Sequence, residues 1–234
     1  MAPNTVRFST KHGQTPTMAS TPRPIRRLIE GVKQFRQRAF PDKQQLFERL
    51  ATGQNPHTLF ITCADSRISP DLITQSAPGD LFVCRNIGNI VPAYGEMMGG
   101  VSAVVEYACT ALRVTDVVIC GHSDCGAMKG LLDPGKHGLE KMPTVSSWLR
   151  NAEAARSVVA VTKPELEGEP LVEALVEQNV KLQLAHLRTH PAVASALAEQ
   201  RLTLHGWVYD IKSGLVSEFN RGEEKLVPIA HAAA

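Results

Sequence analysis

The sequence predicts an α/β fold built on a mainly parallel sheet. Three short runs carry that expectation: TLFIT (58–62), DLFVC (80–84) and DVVIC (116–120), each nearly all apolar, as strands covered on both faces must be. Between the second and the third lies GGVSAVVEYACTALRV, long enough for a crossover helix joining parallel neighbours.

Taken in order, residues 1–23 are expected to form a disordered extension, 24–228 a single domain and 229–234 a tail. Apolar positions recur three or four apart in PIRRLIEGVKQFRQRAF and again in DKQQLFERLAT, so two helices should form an amino-terminal arm divided at Pro41. A long helical region is expected from about Thr144 to Gln200, interrupted by KPELEGEP and by Pro191. LHGWVYD and GLVSEFN, separated by the turn signal KSG, should close the sheet as a hairpin. The sum is about four parallel strands plus an antiparallel edge strand, flanked by helices.

Composition sets outer bounds. With 234 residues, 43% of them apolar and 21% charged, the chain reads as an ordinary soluble globular protein. The net charge of +2 gives no basis for a nucleic-acid partner. No run approaches the ~18 apolar residues of a membrane span, and the first residues lack the apolar centre of a secretory signal. Five cysteines, at 63, 84, 109, 120 and 125, cannot all pair among themselves, which suits a reducing cytoplasm. Cys84, Cys109 and Cys120 lie within apolar segments, where a thiol behaves as a small buried hydrophobe.

Cys63 and Cys125 are different. The runs ending in CADSR and GHSDC both finish where an open α/β sheet binds its ligands, beyond the carboxyl ends of parallel strands. Cys63, His122 and Cys125 together make a Cys2His set suited to zinc, with a fourth position left open as catalytic sites require. A phosphate loop fits less well, because Ala127 and Met128 stand where Lys and Ser/Thr should follow Gly126. A redox dithiol would need Cys-x-x-Cys, which is missing. Asp65 and Arg67 stand close to Cys63, so either Asp65 takes the fourth position or Arg67 holds it away by a bidentate pair.

These segments, with GDLFVCRNIGNIVP and GGVSAVVEYA between them, resemble the β-class carbonic anhydrases from about Ile25 to Val227. The closing LHGWVYDI is most similar to bacterial members, including those associated with cyanate metabolism, and to cyanobacterial ones. The resemblance implies one zinc per chain on Cys63, His122 and Cys125, an Asp65–Arg67 dyad, and reversible hydration of carbon dioxide to bicarbonate by attack of zinc-bound hydroxide. It also implies a substrate site drawing on Gln54, Phe82, Ile87, Tyr107 and Gly126, of which Gln54, Phe82 and Tyr107 would serve a neighbouring subunit in a homodimer or higher even oligomer. Members regulated by bicarbonate carry a tryptophan three residues before the first zinc-binding cysteine, together with an arginine matching Arg85; this chain has Arg85 but Phe60. Two other functions fit the same residues: hydrolysis of carbon disulfide or carbonyl sulfide, and a non-enzymatic zinc protein serving as a scaffold.

Overall fold

The structure is a computed structural model that describes residues 23–96, 99–220 and 225–229. Most of the expected disordered extension, residues 1–22, and most of the tail, 230–234, lie outside the described residues. The chain divides into two compact units, 1–53 and 54–234.

In the first unit, α1 (Arg23–Gln34) runs through a π-helical turn (Phe35–Ala39) into α2 (Phe40–Asp42), followed by α3 (Gln44–Leu50). The division expected at Pro41 falls instead at Lys43, where the backbone leaves helical geometry (φ −117°, ψ 13°). Pro41 lies directly after the π-helical turn, inside the helical run that continues from α1. Phe35, Phe40 and Phe47 hold this unit together, with ring centroids 5.3–6.0 Å apart. Ile25, Leu28, Val32 and Phe35 recur at helical spacing and are all exposed.

The second unit carries β1 (Thr58–Cys63), α4 (Pro70–Thr74), β2 (Leu81–Asn86), α5 (Gly100–Glu106) with a π-helical extension (Tyr107–Ala111), β3 (Asp116–His122) and α6 (Gly126–Leu132). Then come α7 (Pro143–Leu149), α8 (Glu153–Thr162), α9 (Gly168–Thr189), α10 (Pro191–Ala198), β4 (Thr203–Tyr209), β5 (Val216–Phe219) and β6 (Leu226–Pro228). The six strands lie in the order β2-β1-β3-β4-β5-β6, the first four parallel and the last two antiparallel. The predicted parallel core and closing hairpin are therefore present.

Three short elements were not anticipated: α4, α6 and β6. α6 reads GAMKGLL, whose two glycines weaken helical propensity; burial of Met128 and Leu131 holds it instead. β6 is three residues long and ends in proline, which a strand tolerates only at a sheet edge.

β1 is buried along its whole length and β3 along all but its first residue, which is why both read as unbroken apolar runs. Leu59, Ile61, Val117 and Ile119 are fully buried in one core cluster with Val180 and Leu187 of α9. α9 comes very close to the sheet. A Cβ on Gly121 would lie 2.8 Å from Val180, and one on Gly206 2.7 Å from Leu184. On the other face, Phe60 is fully buried with its ring edge-on to Trp207 at 5.9 Å. From β1 the chain moves outward to β2, then recrosses to β3. The switch point of the sheet thus falls between β1 and β3, at the ends that carry Cys63 and His122.

Candidate metal centre and active site

Cys63 is the last residue of β1 and His122 the last of β3, two strands that pair directly. A turn through Asp124, held in the left-handed region at φ 59°, then brings Cys125 back as the residue preceding α6. Sγ of Cys63, a ring nitrogen of His122 and Sγ of Cys125 all lie within 4.8 Å of one another, and all three residues are buried.

The imidazole of His122 is oriented for ligation. Its Nδ1 lies 2.8 Å from the carbonyl of Ser123, an atom that can only accept, so Nδ1 carries the proton. Nε2 is left with its lone pair, buried and without a hydrogen-bond partner among the described residues. The sulfurs complement it: the Cys125 thiol hydrogen-bonds Cys63 and, with the Gly88 amide, holds the Cys63 thiol below the ordinary thiol range despite burial. Cys125 is pushed up in turn, because it supplies that shared proton. A buried ring nitrogen with a free lone pair, facing two cysteine sulfurs, is a donor set that suits a soft divalent cation.

Of the two arrangements open for Asp65, the structure has the one in which arginine holds it. Arg67 Nε donates to Oδ1 at 2.9 Å and Nη2 to Oδ2 at 2.7 Å, and the Arg67 amide adds a third bond to Oδ1 at 2.9 Å. The fork from Arg67 keeps the Asp65 carboxyl well below the usual carboxylate range. Oδ2 lies 4.0 Å from Nε2 of His122, beside the ligand cluster.

Two further residues contribute: Asp124, which the sequence reading did not single out, and Arg85, which it named only as the match to a regulatory arginine. Asp124 accepts from Arg67 Nη1 at 2.8 Å, and it is itself paired with Lys129. Its only sequence signal is its position inside GHSDC, between His122 and Cys125. Arg85 donates to the carbonyls of Cys63 (3.2 Å) and Asp65 (2.6 Å), fixing the backbone that carries these two side chains.

The expected substrate residues separate into two groups. Ile87 precedes Gly88, whose amide touches Cys63 Sγ at 3.4 Å, and Gly126 opens α6 beside Cys125 with free space where a side chain would be. Both adjoin the ligand cluster. Phe82 instead pairs in register with Leu59, four residues before the Cys63–Asn86 level, and its ring meets Tyr107 at 5.9 Å. Gln54 is exposed ahead of β1. Gln54 and Phe82 therefore lie towards the far end of β1 from Cys63 within one chain, and Tyr107 goes with Phe82.

Fold and site together define a class: a mixed-sheet α/β protein with a Cys2His constellation and a carboxylate–guanidinium pair at the topological switch point. Comparison with known proteins sharpens this. The family model for carbonic anhydrase matches residues 58–216. A carbonic anhydrase of Pseudomonas aeruginosa is 50% identical over 206 residues, covering 88% of this chain and 92% of that protein. Among solved structures, the β-carbonic anhydrase CcaA superposes with a TM-score of 0.86 at 46% identity, covering 89% of this chain and 93% of its own. One of two tetrameric β-carbonic anhydrases from the filamentous ascomycete Sordaria macrospora gives 0.75 at 31% identity, covering 84% and 97%. The chain belongs to the carbonic anhydrase family, in its β class.

Proposed function

We propose that this enzyme binds one zinc ion through Cys63, His122 and Cys125 and uses it to interconvert carbon dioxide and bicarbonate. The observation that carries this is the partnerless, buried Nε2 of His122 facing two sulfurs, with a restrained carboxylate 4.0 Å away. When bound, zinc would supply a Lewis acid that lowers the pKa of a coordinated water from 15.7 towards ~7, making hydroxide available to attack the carbon at neutral pH.

The chain's own residues do the rest. The carbonyl of Ser123 fixes the His122 tautomer, and Arg67 fixes Asp65 in its ionised form. A carboxylate held so can only accept. Oδ2 of Asp65 would accept a hydrogen bond from the attacking oxygen, which keeps its proton, and thereby aim its lone pair, while Arg67 keeps the same carboxylate away from the metal. Carbon dioxide is uncharged and needs only apolar walls. Ile87 supplies one from within the chain; Phe82 and Tyr107, with Gln54 as a polar group, would serve the site of a second copy. That role suits their distance from Cys63 and the exposure of Tyr107 and of Val83 on the sheet-edge strand β2. The exposed apolar stripe of α1 also suits a dimer or a multiple of one, as does the tetrameric state of the Sordaria relative.

Stopped-flow hydration of carbon dioxide, combined with metal analysis and X-ray absorption, tests the reading. Expected are about one zinc per chain in a shell of two sulfurs and one nitrogen, loss of metal in Cys125→Ala, and rapid hydration. A four-sulfur shell, undiminished metal in that variant, or turnover of carbon disulfide or carbonyl sulfide in place of carbon dioxide would overturn it. Fully active monomers in light scattering would remove the shared-site part.

A further inference from the structure

The peptide group between Ile87 and Gly88 is bonded at both ends. Its N–H, on Gly88, donates to Cys63 Sγ at 3.4 Å. Its carbonyl, on Ile87, accepts from the indole Nε1 of Trp148 at 2.8 Å. In a trans peptide these two bonds point in opposite directions, so the indole on α7 and the sulfur on β1 define the orientation of one rigid plane. Polarising the carbonyl from one side strengthens the N–H on the other.

The next peptide is fixed independently. Asn179 of α9, 1% exposed, donates from Nδ2 to the Gly88 carbonyl at 3.0 Å. Its own Oδ1 is held by Gln183 Nε2 at 2.8 Å, and Gln183 Oε1 accepts the Val91 amide at 2.9 Å. Two fully buried polar side chains in a helix otherwise packed on an apolar sheet cost desolvation unless bonded, and here the bonds of both lead to this one loop. Any other residue at position 88 would be strained. The φ of Gly88 is +80°, and a Cβ would sit 3.0 Å from Ala127 in α6.

We propose that Trp148 and Asn179 are positioning residues for the ligand sulfur of Cys63: they set the Ile87–Gly88 peptide so that its N–H holds the thiolate in the direction the metal requires. Neither residue touches the ligand cluster in any bond the structure shows; each acts through the backbone. The inference rests on Cys63 being a metal ligand.

The test uses the full chain loaded with zinc and, separately, with cadmium-113. In the unsubstituted protein the Gly88 amide proton should couple to cadmium through the sulfur. Trp148→Phe, which keeps the ring and removes the N–H, should release zinc to a chromogenic chelator on the order of tenfold faster. Its Gly88 amide resonance should shift, while the melting temperature of the metal-free protein stays near that of the parent. Asn179→Ala should show the same acceleration with some loss of stability, and Asn179→Ser serves if the alanine variant does not fold. Parental release rates and an unmoved Gly88 resonance in Trp148→Phe would overturn the inference, even with a lowered melting temperature, since that pattern marks a purely structural contact. Bound cadmium without coupling to Gly88 defeats this inference alone. Failure of the unsubstituted protein to take up either metal defeats the zinc reading as well.

Discussion

Asp124 occupies the one guanidinium nitrogen of Arg67 that Asp65 leaves free: Nη1 donates to Asp124 Oδ2 at 2.8 Å, while Nε and Nη2 face Asp65. Arg67 is half exposed, with 43% of its side chain open to solvent, so its own packing does not restrain it. Asp124 does, and Lys129 restrains Asp124.

Arg67→Ala is therefore expected to keep its metal and lose on the order of a hundredfold in hydration rate, because Asp65 is released to compete for the fourth position. Asp124→Ala should lose less, roughly tenfold, with metal content unchanged. Stopped-flow rates beside metal analysis check both. Near-parental activity in Arg67→Ala would refute the dyad's role.

Gly121 lies between Cys120 and His122 with α9 pressed against it. A methyl group there meets Val180 at 2.8 Å and Val176 at 3.0 Å, both on a long packed helix that cannot step aside freely. Gly121→Ala should lower stability by about 1–3 kcal/mol. Thermal melting of the metal-free protein measures this. An unchanged melting temperature would mean that α9 yields more readily than its packing implies.

Alkali should destabilise the protein through two thiols that the site does not use. Burial pushes Cys109 up to about 11 and Cys120 up to about 12, from an ordinary 9.0. Between about 9 and 12 the unfolded chain releases these protons while the native state keeps them, so the unfolded state binds fewer protons and stability falls as pH rises. Below about 9 the two groups should contribute no slope. Denaturant midpoints measured across pH 7–11.5, with Cys109→Ala and Cys120→Ala as controls, should show a decline that flattens in the variants.

Phe60 leads to a prediction about regulation. Phenylalanine offers no N–H at the position where bicarbonate-regulated members carry tryptophan, and here its ring is fully buried against Trp207. Activity near pH 7.5 is expected to show no cooperative fall as bicarbonate rises. Rates titrated against bicarbonate at fixed ionic strength decide; a sigmoidal loss would overturn the inference from Phe60.

The parts of the fold visible in the sequence were those whose signal is local. β1 and β3 are buried on both faces and announce themselves as apolar runs. The order of motifs CADSR and GHSDC then placed Cys63 and His122 at the strand ends. What stayed hidden depends on tertiary partners. α6 contains two glycines and is held by buried Met128 and Leu131, so its own residues gave no helical period. Asp124 is an ordinary polar turn residue until Arg67, 57 positions away, is seen to reach it. Asn179 and Gln183 interrupt the apolar pattern of α9, but only their bonds to the 88–91 loop say why.

Cys63 and His122 are contributed by two strands that become neighbours only after the chain has passed through β2 and α5 and returned. Nothing short-range brings these atoms together. In small zinc modules the ion organises a chain that is otherwise unfolded; here Leu59, Ile61, Val117 and Ile119 already clamp the two strands through a dry core. The ion would be a late arrival at a finished socket rather than a seed for folding.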